Sequence, residues 1–89
     1  MLKQFTKDPQ ATLDYTIDWS AWLGTDAIAT STWVLDAGIT QSSASFSGAQ
    51  ATVWVSGGVA GLLYSATNRI TTAAGRTDDR SILIRVADR

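Results

Sequence analysis

The chain has no cysteine and no histidine. Without cysteine there is no disulfide framework and no thiolate metal site. With histidine also missing, the commonest general base and the strongest side-chain nucleophile are both gone. Glutamate is absent as well: all 8 acidic residues are aspartate. Asp competes with the backbone for hydrogen bonds and favours caps and turns, whereas Glu is a good helix former. Proline occurs once, and charged residues make up only 17% of the chain, with a net charge of -1. That balance gives no electrostatic case for nucleic acid or for an anionic membrane surface. No apolar run approaches the roughly 18 residues of a membrane span. Residues 1–9 hold lysines but no apolar segment, so they are not read as a secretory signal.

What is present points to β-structure. Ser, Thr and Gly are abundant, and β-branched Thr suits strands. The 89 residues fit one domain with a thin core, in which large aromatics carry much of the burial. Residues 13–23 organise the chain. Leu13, Tyr15 and Ile17 alternate with Asp14, Thr16 and Asp18, the period of a half-buried strand. Trp19, Trp22 and Leu23 then take helical spacing, with Asp18 as the expected N-cap. A short helical turn near Trp19–Leu23 should therefore plug one end of the β-structure, its indoles serving as a hydrophobic anchor or as a stacking pair for a ligand.

Further strands are expected over 27–35, 39–47, 49–56, 62–73 and 80–86. Ile28 and Trp33 have opposite parity, so the first of these needs a bulge near Thr30-Ser31 to turn both inward. The stretch 39–47 is Ser/Thr-rich and reads as an edge strand without the Lys or Pro that usually guards one. In 49–56, valines on the inside leave Trp54 outside, and the opposite register buries it. Leu62, Tyr64, Ala66 and Ile70 share one parity; Tyr64 after Gly61 suggests a tyrosine corner. Ile82, Ile84 and Val86 point inward in the last strand. Strands at this spacing indicate a β-sandwich over 13–89. Residues 1–12 read as an N-terminal arm whose apolar Leu2 and Phe5 dock on the domain or on a neighbour.

Carboxylate chemistry finds little support. Asp14 and Asp18 share a strand face about 13 Å apart, beyond glycosidase separations. Asp78 and Asp79 are placed in a hairpin loop beside Arg76 and Arg80 as solvated charges. No EF-hand-like loop exists, which leaves only an interloop calcium site from Asp18 with Asp78 or Asp79. The glycine-rich 57–61 lacks the Lys-Ser or Lys-Thr of a phosphate loop. No catalytic, cofactor or metal residue is assigned. Because Arg and Trp favour interfaces, Leu2, Phe5, Trp54, Arg69 and Arg85 are the candidate contact residues.

Two blocks carry a resemblance. One is Asp8-Pro9 followed by residues 13–23. The other runs from Gly57-Gly58 to Tyr64 and on through Ile70-Thr71-Thr72, Gly75-Arg76-Thr77-Asp78 and Arg80-Ser81-Ile82. With Ser31-Thr32-Trp33 they resemble small immunoglobulin-like structural proteins of tailed bacteriophages and prophages, of the fibre-tail adaptor kind, over about residues 8–88. The resemblance implies an all-β immunoglobulin-like sandwich of about six to seven strands in a non-enzymatic virion protein made in the bacterial cytoplasm. Its expected partners are other phage structural proteins and further copies of itself, with no cofactor, nucleic acid or membrane. A carbohydrate- or surface-binding module using Trp54 or the Trp19/Trp22 pair, and a capsid decoration protein, are the alternatives.

Overall fold

A computed structural model describes residues 3–88. The elements are β1 (Lys3–Lys7), β2 (Leu13–Asp18), α1 (Ser20–Leu23), β3 (Ile28–Leu35), β4 (Ile39–Ser47), β5 (Gln50–Gly57), β6 (Leu63–Thr72) and β7 (Thr77–Val86). They form a four-stranded sheet, order β1-β7-β6-β3, and a three-stranded sheet, order β2-β5-β4. This is an immunoglobulin-like sandwich, with β7-β6-β3 facing β2-β5-β4.

Period-2 alternation builds the core. Val53 and Val55 face inward from β5, and Ile82, Ile84 and Val86 from β7. Each such aliphatic contributes about 1.5–3 kcal/mol by leaving water. Trp54 therefore points out, the first of the two registers open for that strand. The expected bulge in β3 appears between Ile28 and Thr30. It buries Ile28 and lets Trp33 pack against the core.

Tyr64 closes one pole. Its hydroxyl accepts the Val59 N–H at 2.9 Å. Its ring fits beside Gly38 and Gly58, where an added Cβ would lie 2.7 Å from Tyr64 and 2.6 Å from Val86 respectively. Both glycines also have positive φ, so no other residue takes these places without strain.

The structure corrects four expectations. The N-terminal arm is a strand: Lys3–Lys7 pairs in parallel with β7, with Lys7 opposite Val86. Parallel pairing with the far end of the chain leaves no local turn signal, and the lysines at inward parity hide the period. Asp78 and Asp79 lie in β7 rather than in a loop, opposite Ile70 and Arg69. Leu62 is exposed, because the chain turns between Val59 and Leu62 before β6 begins. Asp18 is not the N-cap of α1, which is Trp19; its carboxylate instead accepts the N–H of Ser20. Leu2 lies outside the described residues.

Candidate functional site

Indoles, guanidiniums and carboxylates meet at the pole opposite Tyr64. Trp19 is fully buried and stands edge-on to Trp22, ring centroids 5.3 Å apart. The Arg80 guanidinium lies 4.3 Å from the Trp19 ring centre and donates to the Asp18 carbonyl. Arg76 lies 4.2 Å over Trp22, pairs with Asp26 at 3.1 Å and donates to the Trp22 and Leu23 carbonyls. A one-turn helix leaves its last carbonyls without intrahelical partners; Arg76 serves those of Trp22 and Leu23, the latter shared with the Asp26 N–H. The Thr72 hydroxyl first, then backbone N–H groups and Arg76, hold the Asp26 carboxyl at about 2.

Behind this cluster sits Asn68, a polar residue fully buried in β6. Its Oδ1 accepts the Trp19 indole N–H at 2.9 Å, and its Nδ2 donates to the Ser31 hydroxyl and the Thr32 carbonyl. Sequence reasoning missed it, although Asn68 shares the inward parity of Tyr64, Ala66 and Ile70. The pole is a satisfied anchor. Trp19 offers no open ring face and Arg76 lies over one face of the half-buried Trp22, which counts against the pair as a stacking surface for a sugar.

Lys7 was missed too. Its side chain is buried, with Nζ donating to the Asp8 carbonyl at 2.9 Å and the Gly57 carbonyl at 2.7 Å. It joins the two sheets at the Tyr64 pole. Burial pushes its pKa down, partly offset by Asp8.

Two further carboxylates are held by neighbouring donors. Asp79 accepts both Nε and Nη2 of Arg69, which holds its pKa below the ordinary range. Asp18 is lowered chiefly by the Ser20 N–H. Among the described residues no group of three acidic side chains could hold a metal ion. A groove of about 370 Å³ between β2 and the β1/β7 side is lined by Lys3, Thr16, Asp18, Arg80 and Ser81, with Ile17 and Ile82 at its floor. It holds one carboxylate, Asp18, between two cations, Lys3 and Arg80.

The candidate contact residues fall on different surfaces. Phe5 turns inward, its ring 4.9 Å from that of Tyr15. Trp54 is 42% exposed on the outer face of the three-stranded sheet, with Asp14 opposite it on β2. Arg69 and Arg85 lie on the outer face of the four-stranded sheet. Arg69 is tied to Asp79, while Arg85 is opposite Leu63, which is 51% exposed. Leu62 and Val59, in the connection before β6, are exposed as well. Large outward apolar side chains on both faces suit protein contact more than catalysis.

No curated protein matches the sequence. Residues 7–85 match the family described as podophage GP4 fiber-tail adaptor protein gp77, a span that runs from the buried Lys7 to the exposed Arg85 and takes in both faces; the chain belongs to this family of phage fibre-tail adaptors.

Proposed function

We propose that the chain is a non-enzymatic connector of the phage virion, present in several copies in the tail after synthesis in the host cytoplasm. It joins fibre-bearing and tail components by protein–protein contacts through the outer faces of its sandwich. The observation that carries this is the family match over residues 7–85. The exposed Trp54, Leu62, Leu63 and Val34 support it, because they are large apolar groups with no partner inside the chain's own core. Trp54, Arg69 and Arg85 are the contact residues of this reading. Phe5 contributes less, since its ring already packs on Tyr15.

The experiment is genetic complementation. Phage lacking this protein should assemble heads and tails without fibres, and the wild-type chain supplied in trans should restore them. Particles that keep their fibres without it would sink the adaptor reading.

A further inference from the structure

The two outer faces of the sandwich complement one another. On the three-stranded sheet, Asp14 and Trp54 are directly opposed on β2 and β5, both outward. Such cross-strand neighbours have Cβ atoms about 5 Å apart. Among the described residues, Asp14 has no ion pair. This face thus offers an indole beside a carboxylate and no cation on either. On the four-stranded sheet, Arg85 and Leu63 are directly opposed on β7 and β6. Among the described residues Arg85 has no carboxylate partner, whereas the other arginine of that face, Arg69, is neutralised by Asp79. This face offers a guanidinium set in apolar surface.

The molecule itself shows how these groups fit. Arg76 lies over the Trp22 ring at 4.2 Å while its Nε reaches Asp26 at 3.1 Å. A guanidinium satisfied by an indole face and a carboxylate together is what Asp14 and Trp54 lack a partner for, and what Arg85 lacks in its own chain.

We infer that copies of this chain stack head to tail, Arg85 of one copy seated on Trp54 and Asp14 of the next. This rests on the several-copy reading proposed above and names the surfaces that make the contact. The two patches lie at the same level of the sandwich. Lys7, opposite Val86, donates to the Gly57 carbonyl, so the Arg85 end of β7 and the Trp54 end of β5 share one pole. Stacking then needs little sideways offset. The molecule measures 42 × 25 × 18 Å, so its broad side is on the order of the 800 Å² per partner of a standard interface. The contact joins two different surfaces, so it propagates from copy to copy and closes into a ring where the rotation allows.

Purified full-length chain tests this. Sedimentation velocity should show wild-type mass rising with concentration, and rising less at high salt. A chain with Trp54→Thr and Asp14→Ser loses one face; a chain with Arg85→Asp loses the other. All three positions are exposed on strands, and unchanged melting by circular dichroism confirms that each variant folds. Each variant alone should remain monomeric, and an equimolar mixture should form dimers and nothing larger, because each supplies the face the other lacks. Asp14→Arg with Arg85→Asp in one chain should restore association.

Wild-type chain that stays monomeric at about 1 mM, the range where weak contacts become visible, overturns the inference. So does association that survives in both variants, or a mixture that does not pair. A monomeric chain that still restores fibres in complementation overturns the stacking alone. A stacking chain that fails to restore them overturns the adaptor reading alone.

Discussion

At the scale of single residues, the energetics turn on which buried polar atoms have partners. Trp19 and Trp33 make the comparison within one core. The Trp19 N–H meets Asn68, whereas the Trp33 Nε1 is buried with no acceptor among the described residues. Replacing either by Phe loses apolar area, but Trp19→Phe also strands a buried amide oxygen, at about 1–3 kcal/mol. Trp33→Phe removes an unsatisfied donor instead. Urea denaturation should therefore place Trp19→Phe at least about 1 kcal/mol below Trp33→Phe; equal midpoints would show that the Asn68 bond contributes nothing net. Tyr64→Phe should cost about 1 kcal/mol by leaving the Val59 N–H without its acceptor, read from the same midpoint. The tyrosine was legible because a glycine-rich connection precedes it at inward parity. Asn68 was not, because a polar residue among threonines reads as surface until its three partners, on other elements, are known.

At the scale of elements, the first strand changes the expected behaviour of the N-terminus. β1 covers one edge of β7, packs Phe5 on Tyr15 and carries Lys7 across to Gly57. Deleting residues 1–7 removes an aromatic from the core, exposes the β7 edge and strips the Gly57 carbonyl of its donor. Loss of stability by about 3 kcal/mol or more is expected from the denaturant midpoint. An unchanged midpoint would return these residues to the role of a loose arm.

The remaining strands were largely legible, because each buries one face against a partner nearby in sequence. The polar 39–47 is indeed the edge strand β4. Its guard, however, is conformational rather than chemical: the register shifts between Gln41 and Ser43, a bulge that bends the edge away from foreign strands. Nothing in a run of serines announces that shift. β1 escaped notice for the opposite reason, since its partner lies at the other end of the chain.

At the scale of the whole molecule, acid is the condition to which the fold should respond. Asp18, Asp26 and Asp79 all sit below their ordinary value of 3.8, Asp26 at about 2. A carboxyl whose pKa is lower folded than unfolded contributes stability above the unfolded value and loses it as pH falls through the folded one. The urea midpoint should hold level at neutral pH and decline from about pH 4 toward pH 2. Asp26→Asn should make that decline shallower; an identical slope would deny Asp26 its share. The pairing of β1 with β7 also sets how the molecule bears load. These two strands run in parallel, in register from Lys3–Ile82 to Lys7–Val86. Tension applied between the two chain ends therefore slides one strand along the other and strains the whole ladder at once. Pulled instead between the N-terminus and the turn at Gly75, the same strand would peel away pair by pair. A single-molecule force measurement should find the first direction markedly the stronger. Anchored by its ends, a part of the tail built this way resists traction like a lap joint in shear.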